Sequence, residues 1–220
     1  MEELDLIITH DGSASLYSKQ FDQQYHSLHG ALQESMHVFI NAGLKYKQTT
    51  PPEISILEIG FGTGLNALLT FLETTAKVHY TTLEKYPLNS SITKQLNYCN
   101  VINTTNCTDI FKQIHACDWN VWNEISDTFS LRKINIDFNE VDFKNEFDII
   151  YFDAFAPNSQ PELWTTIIFQ KMFDALRKNG ILVTYCAKGE VKRNLKAAGF
   201  ETEALAGPIG KREMTRAHKR

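Results

Sequence analysis

The chain has 220 residues, of which 43% are hydrophobic and 22% are charged, and its formal net charge at pH 7 is −4. This composition is typical of a globular domain with a sizeable core and excludes collagen-like and low-complexity chains. No apolar run approaches the ~18 residues that a membrane-spanning helix requires, and the first twelve residues do not resemble a signal or transit peptide. We therefore expect a cytoplasmic protein that does not enter a membrane.

The cysteines give no sign of a metal centre. Cys99, Cys107, Cys117 and Cys186 are irregularly spaced and contain no C-x-x-C pair. The spacing predicts neither a zinc site nor a disulfide framework, and it favours a reducing compartment.

Charge is distributed unevenly along the chain. Residues 188–220 carry nine Lys or Arg and four acidic residues, whereas residues 1–187 carry 13 basic and 22 acidic residues. A basic C-terminal segment on an acidic body suggests an anionic partner, although charge alone is equally typical of a solvated tail.

Residues 1–52 are predicted to form an N-terminal extension that packs on the core. Asp11-Gly12 predicts a hairpin turn, and the apolar spacing predicts a helix over residues 28–40 that Gly43 ends. Pro51-Pro52 then separates this extension from the main domain, residues 53–220.

From residue 53 onward, predicted strands and helices alternate. Strands are expected at residues 54–59, 78–83, 131–136, 147–152, 181–185, 200–205 and 214–217. One of the helices, residues 162–177, would begin at a capping box made by Ser159 and Glu162. The alternation predicts an α/β, Rossmann-like fold with a mostly parallel seven-stranded sheet and helices on both faces. Residues 97–127 do not fit the alternation and are predicted to be a helical insert.

The first predicted strand runs into a glycine cluster with the sequence EIGFGTGLN, residues 58–66. Glycines at such a turn let the backbone approach a ligand closely. A dinucleotide site would require glycine where Leu65 stands, and the Glu58 carboxylate would repel a pyrophosphate and suits a cationic ligand. We therefore expect Glu58, Gly60, Gly62 and Gly64 to bind a cofactor.

Acidic residues also end the next two strands. Glu84 lies 20 residues after Gly64, where a carboxylate can accept hydrogen bonds from both ribose hydroxyls. Asp137 follows the third strand and could accept a hydrogen bond from an adenine amino group. Asp137 could equally be a turn residue, and the nearby Asp142 leaves the alignment open.

The fourth strand ends in Asp153, which follows six mostly apolar residues. A carboxylate there could position an amine and accept its proton. Phe155 and Pro157 form an apolar wall that could stack on a base or could serve as packing in a buried loop.

Several stretches of the chain together resemble the methyltransferase half of the MnmC family. They are residues 32–39 (LQESMHVF), 58–66 (EIGFGTGLN), 152–157 (FDAFAP), 161–164 (PELW), 191–200 (VKRNLKAAGF) and 210–214 (GKREM). The resemblance implies a class I fold that uses S-adenosyl-L-methionine. It also implies methyl transfer to the aminomethyl group of 5-aminomethyl-(2-thio)uridine at the wobble position of tRNA.

The resemblance also suggests roles for individual residues. It adds Asn66 to the cofactor site and Glu34 to the substrate site, and it makes Asp153 the catalytic residue. The predicted topology places Lys188, Lys211 and Arg212 on the cofactor side of the sheet, where they would contact phosphates of the anticodon loop. Alternatively, Lys211 and Arg212 would pair with nearby acids such as Glu213 or be solvated in a hairpin. The family's flavin-dependent oxidase domain is not expected in this chain, which resembles a standalone methyltransferase.

The sequence leaves two other functions open. One is an aminopropyltransferase resembling spermidine synthase, although the acidic run usual after that family's fourth strand is replaced here by DAFAP. The other is a catalytically silent RNA-binding module, against which the intact Glu58, Glu84 and Asp153 argue.

Overall fold

The N-terminal segment begins with a small antiparallel sheet. In this computed structural model, which describes residues 3–47 and 53–220, the sheet consists of β1 (Leu4–Ile8), β2 (Ala14–Ser18) and β3 (Gln23–Gln24). Ile8 pairs with Ala14 across the turn, and Gly12 has a φ of 82°. The Asp11-Gly12 hairpin is therefore confirmed, whereas the predicted boundary at Pro51-Pro52 lies outside the described residues.

The helix that follows extends further than its sequence pattern predicts. It starts as α1 (Ala31–Ser35) and continues as a π-helical segment, Met36–Lys45. The expectation that Gly43 ends this helix is wrong, because Gly43 lies within it. A Cβ at Gly43 would come within 3.0 Å of the Tyr151 ring and 3.2 Å of the Val183 side chain. The glycine therefore permits close packing of the helix on the sheet.

The main sheet has eight strands in the order β10-β11-β9-β8-β4-β5-β7-β6. The strands are β4 (Glu53–Ile59), β5 (Lys77–Glu84), β6 (Trp122–Ser126), β7 (Phe129–Asn135), β8 (Phe147–Phe152), β9 (Leu176–Thr184), β10 (Glu201–Ala206) and β11 (Glu213–His218). Strands β7, β5, β4, β8 and β9 pair in parallel, and β11 lies antiparallel between β9 and β10. The carboxyl ends of the parallel strands therefore share one edge of the sheet, and the loop after β10 emerges at that same edge.

Helices cover both faces of the sheet, as predicted. They are α2 (Leu65–Glu73), α3 (Ser90–Thr93), α4 (Tyr98–Ile102), α5 (Cys107–Ala116), α6 (Thr166–Ala175) and α7 (Gly189–Ala197). Successive side chains of a strand point to opposite faces. Accordingly, Ile56 of β4 lies in the core cluster that contains Leu68 of α2, and Leu57 lies in the cluster that contains Phe169 of α6. The expected α/β fold is confirmed, with one strand more than predicted.

The extra strand comes from the predicted helical insert. Residues 97–127 are helical only as far as Ala116, and they end in β6, which pairs antiparallel with β7. Within this segment Cys99 and Cys107 form a disulfide with a Cα–Cα distance of 5.4 Å. The expectation that the cysteines are unpaired is therefore wrong for these two.

The predicted capping box is also absent. Residues Pro161–Trp164 form a short 3₁₀ helix, and α6 begins only at Thr166. The Thr165 hydroxyl accepts the capping hydrogen bond from the Ile168 backbone N–H at 3.4 Å. In the described part of the chain, no helix is both long and apolar enough to cross a membrane.

The packing of the π-helical segment predicts that it is an essential part of the core. Phe39 is 1% exposed, and its ring centroid lies 5.3 Å from that of Tyr151. We expect Phe39→Ala to lower the free energy of unfolding by ~3–5 kcal/mol in urea titrations. Ile167→Ala on α6, where the side chain is 73% exposed, should change it by less than ~0.5 kcal/mol. A small effect of Phe39→Ala would show that the segment is a detachable extension.

Candidate active site

A cavity of about 360 Å³ opens at the carboxyl ends of the parallel strands. Its floor is formed by the loops that follow β4, β5 and β8. One wall comes from residues 21–27 of the N-terminal segment, and Lys211 lines it from the loop after β10. Parts of the chain that are far apart in sequence therefore build one site.

The glycine loop between β4 and α2 shapes the floor. Gly60 and Gly62 line the cavity with φ values of 92° and 49°, a region that side-chain-bearing residues rarely adopt. A Cβ at Gly60 would lie 2.9 Å from the Asp153 carbonyl oxygen. The Asp153 backbone N–H in turn donates to the Ile59 carbonyl at 3.1 Å. The missing side chain thus allows the glycine loop and the end of β8 to touch.

Glu84 lies at the end of β5, where a carboxylate that binds ribose hydroxyls was expected. Its Oε2 accepts a hydrogen bond from the Gly62 backbone N–H at 3.0 Å, and its Oε1 accepts one from the Tyr86 N–H at 2.8 Å. The carboxylate lines the cavity and is held in place by the loops on both sides of it.

Asp137 also lines the cavity. Its Oδ2 lies 2.6 Å from the Lys85 ammonium, and its Oδ1 accepts from the Asn139 N–H at 2.9 Å. The hydrogen bond from Lys85 lowers the pKa of the Asp137 carboxyl, with help from the Asn139 N–H. Asp137 is therefore an ionised acceptor at the rim of the cavity.

Glu58 occupies a different place from the one expected. Its side chain is fully buried and is absent from the cavity wall. Within the described part of the chain, neither carboxylate oxygen has a hydrogen-bond partner of normal geometry. Burial raises the pKa of Glu58 to about 8, and the nearby Thr82 hydroxyl opposes this shift. Glu58 is thus a protonated group beneath the floor at neutral pH.

Asp153 lies at the end of β8, where it faces the cavity. Its Oδ2 accepts a hydrogen bond from the Asn66 side-chain amide at 2.8 Å. Burial raises the pKa of Asp153 to about 7, and the negative charge of Glu34 adds to the shift. The carboxylate can therefore both bind and release a proton near neutral pH.

Glu34 and Lys211 meet in the cavity wall although they lie 177 residues apart in sequence. The Lys211 ammonium is 2.6 Å from Glu34 Oε1, and Glu34 Oε2 accepts from the Ser27 N–H at 2.7 Å. The structure thus directs the Lys211 ammonium at a carboxylate of the cavity wall.

Aromatic side chains form another part of the cavity wall. The Phe155 ring stacks on Phe21 with a centroid distance of 4.7 Å and an interplanar angle of 28°. Tyr25 packs edge-on against Phe155 at 5.0 Å, and the Trp164 indole N–H donates to the Phe155 carbonyl at 2.8 Å. The wall offers flat apolar surface to a ring-shaped ligand.

The cavity brings together nine of the predicted site residues and leaves five outside its wall. Those in the wall are Glu34, Gly60, Gly62, Asn66, Glu84, Asp137, Asp153, Phe155 and Lys211, and those outside it are Glu58, Gly64, Pro157, Lys188 and Arg212. The sequence analysis missed the contributions of Phe21, Tyr25, Tyr86 and Tyr185. Their positions follow no period or motif from which the sequence could have located them.

The lining of the cavity fits S-adenosyl-L-methionine. Its open glycine backbone can lie against a ligand, and the carboxylates of Glu84 and Asp137 suit ribose hydroxyls, an adenine amine and a cationic centre. In residues 3–47 and 53–220, no group of three or more His, Cys, Asp or Glu side chains could hold a metal ion.

Comparison with known proteins shows which class of protein the chain resembles. Residues 123–220 match the model of a family described as S-adenosyl-L-methionine-dependent methyltransferase. The structure superposes on the crystal structure of MNMC2 from Aquifex aeolicus with a TM-score of 0.79 and 25% identity, covering 100% of this chain and 71% of that one. In fold, site and sequence the chain is similar to S-adenosyl-L-methionine-dependent methyltransferases.

Curated relatives indicate a narrower likeness than the family model does. The chain is 28% identical over 231 residues to the tRNA 5-methylaminomethyl-2-thiouridine biosynthesis bifunctional protein MnmC of Cupriavidus metallidurans, covering 98% of this chain and 34% of the relative. The MnmC protein of Leptospira interrogans is 29% identical over 226 residues, with 94% and 34% covered. The resemblance to the methyltransferase part of MnmC is confirmed, and the chain spans about a third of the length of these relatives.

Spermidine synthase from Thermotoga maritima also superposes on the chain, with a TM-score of 0.60 and 14% identity, covering 100% of this chain and 69% of that one. At this identity the likeness shows a shared fold and does not support aminopropyl transfer.

The burial of Glu58 predicts a pH dependence of stability. Its pKa is raised in the folded state, so its stabilising contribution is complete below pH ~4.5, its ordinary range, and is lost as pH rises through about 8. In urea titrations from pH 6 to 9, Glu58→Gln should become more stable relative to the wild type as pH rises. Glu53→Gln, at the exposed start of β4, should keep the wild-type slope. If the stabilities of Glu58→Gln and the wild type changed equally with pH, the raised pKa of Glu58 would be contradicted.

Proposed function

We propose that this methyltransferase acts on the aminomethyl group of 5-aminomethyl-(2-thio)uridine at the wobble position of tRNA. The name of the relatives supports this substrate, and so does the chemistry of the cavity. The observation that carries the proposal is Asp153, an enclosed carboxylate fixed by Asn66 at 2.8 Å beside the glycine loop. The substrate implies that the enzyme works in the cytoplasm on the anticodon loop.

When bound, S-adenosyl-L-methionine supplies an electrophilic methyl group on a sulfonium. Gly60 and Gly62 would lie against it, Glu84 would accept hydrogen bonds from its ribose hydroxyls, and Asp137 would accept one from its adenine amine. Glu58 would support this floor from below through Asn66, which lies next to both Glu58 and Asp153.

Methyl transfer requires that the substrate amine first lose a proton. An alkyl amine is protonated at neutral pH and then has no electron pair for attack. Asp153, with a pKa of about 7, can accept one proton from the ammonium. The amine nitrogen would then carry a free electron pair, with which it could attack the methyl group that bound S-adenosyl-L-methionine would supply. The proton on Asp153 is afterwards released to water.

The aromatic wall would hold the modified base. Phe155 and Phe21 present flat faces near Asp153, and stacking on such faces is worth ~1–3 kcal/mol per base. A stacked uridine would direct its 5-substituent into the cavity and align the amine for transfer.

The first test concerns Asp153. We expect Asp153→Asn to lower kcat at pH 7 by roughly 10²–10⁴-fold, because the amide cannot take the proton. The affinity for S-adenosyl-L-methionine in calorimetry should stay close to that of the wild type. The lost rate should return at high pH, where the amine is already neutral. Asp148→Asn is the matched control on the same strand, since Asp148 instead pairs with Arg177 at 2.8 Å. Wild-type turnover of Asp153→Asn at pH 7 would remove Asp153 from the mechanism.

The second test concerns the tRNA. Arg212 is exposed, and Lys188 is held by the Asn158 side chain at 2.6 Å, at the edge of the sheet where the cavity opens. We propose that both contact phosphates. Lys188→Ala with Arg212→Ala should raise KM for tRNA. It should also reduce the slope of log KM against log salt by about one for each phosphate that the variant no longer neutralises.

A double variant elsewhere controls for net charge. Lys45→Ala with Lys144→Ala removes two cations that pair with acids away from the cavity and should leave the salt slope unchanged. Equal slopes for the Lys188/Arg212 variant and the wild type would show that the RNA binds another surface.

A further inference from the structure

Lys211 is fixed inside the site by two contacts. Its ammonium lies 2.6 Å from Glu34 Oε1 and 4.0 Å from the centroid of the Tyr185 ring. Tyr185 is itself fixed, because its hydroxyl donates to the Ala154 carbonyl at 2.8 Å. A lysine that bound phosphates would extend into solvent, whereas this one is directed at a carboxylate in the cavity wall.

The neighbourhood of Asp153 is rich in acidic groups. Glu34 from α1, Glu58 from β4, Tyr80 from β5 and Tyr185 after β9 interact with it electrostatically, and Lys211 is the cation among its interacting neighbours. Without that cation, the carboxylates of Glu34 and Asp153 would both face an amine bound in this end of the cavity. Two carboxylates would stabilise the ammonium form of the amine, which cannot attack.

Resting on the proposed function, we propose that Lys211 is a positioning residue that acts through Glu34. By neutralising Glu34, it leaves Asp153 as the carboxylate that faces the substrate amine, so that the ammonium can give up its proton there. Lys211 thereby controls the protonation of the substrate rather than the binding of its phosphates.

The electrostatics of Asp153 agree with this role. Burial raises the pKa of Asp153 to about 7, Glu34 raises it further, and Lys211 lowers it. Removing Lys211 should therefore raise the pKa of Asp153 for two reasons, since a nearby cation is removed and the charge of Glu34 is no longer balanced. Removing Glu34 as well should reverse part of this rise.

The experiment compares four variants with the wild type. They are Lys211→Met, Lys211→Arg, the double variant Lys211→Met with Glu34→Gln, and the control Lys45→Met. Lys45 also pairs with a glutamate, Glu73, at 2.7 Å, but neither residue lines the cavity. The values of kcat and KM are measured between pH 6 and 9.5 with tRNA that carries 5-aminomethyluridine at the wobble position.

We expect the acidic limb of kcat/KM for Lys211→Met to move to higher pH by on the order of one unit. Its kcat at pH 7 should fall by about tenfold and recover above pH 9, whereas KM for tRNA should change by less than about twofold. Lys45→Met should resemble the wild type. Lys211→Arg keeps the positive charge and should recover part of what Lys211→Met loses, and the double variant should lie between Lys211→Met and the wild type.

Two outcomes would overturn the inference. An unchanged pH profile in Lys211→Met, combined with a higher KM and a smaller salt slope, would make Lys211 a phosphate contact. A double variant no better than Lys211→Met would show that Lys211 does not act through Glu34.

A titration of the protein alone separates this inference from the proposed function. The carboxyl carbon of Asp153 is followed by NMR in ¹³C-labelled protein without tRNA, and it is assigned by its absence in Asp153→Asn. The pKa of Asp153 should rise in Lys211→Met and fall back in the double variant. If that pattern holds while the wild type methylates no tRNA, the proposed substrate is wrong and the electrostatic role stands. If tRNA is methylated but the three titrations coincide, the inference is wrong.

Discussion

The contact between the glycine loop and the end of β8 is the constraint on which the site depends. Because Gly60 has no side chain, its backbone lies against the Asp153 carbonyl, and the Asp153 N–H reaches the Ile59 carbonyl. The contact places the Asp153 carboxylate beside the loop that would cradle the methyl donor. A side chain at position 60 would push the glycine loop and the end of β8 apart, so the absence of a Cβ keeps these two parts of the cavity floor together.

The N-terminal segment supplies further side chains around Asp153 and Phe155. Its aromatic residues stack on Phe155, and Glu34 from α1 sets the charge next to Asp153. The core thus forms the floor of the cavity, and the N-terminal segment forms much of its wall. This division matches a fold in which a common cofactor-binding sheet is adapted to one substrate by an added segment.

The sequence predicted the floor of the site well because the floor follows rules of local structure. Strand ends, glycine turns and acidic residues at regular offsets located Gly60, Gly62, Glu84 and Asp153. Glu58 was placed in the wall, but alternation along β4 and full burial put it underneath, and a strand-end position does not say which way a side chain points. Phe21, Tyr25 and Tyr185 could not be found in this way, because their role arises only when distant segments pack.

Lys211 shows the same limit of prediction from sequence. Its sequence neighbourhood is basic, so charge counting assigned it to phosphate, whereas three basic residues of the C-terminal segment, Lys192, Arg216 and Arg220, pair with acids of that same segment. Only three-dimensional contacts distinguish a cation available to a partner from one that balances an internal acid.

The pairing of Glu34 with Lys211 also has a consequence during synthesis of the protein. The two residues are separated by 177 positions, and Lys211 lies between β10 and β11, the last two strands of the sheet along the chain. A growing chain can form the sheet around β4 and β5 well before Lys211 leaves the ribosome. Until then the acidic end of the cavity lacks its cation, so this part of the site is completed only after β10 has been made.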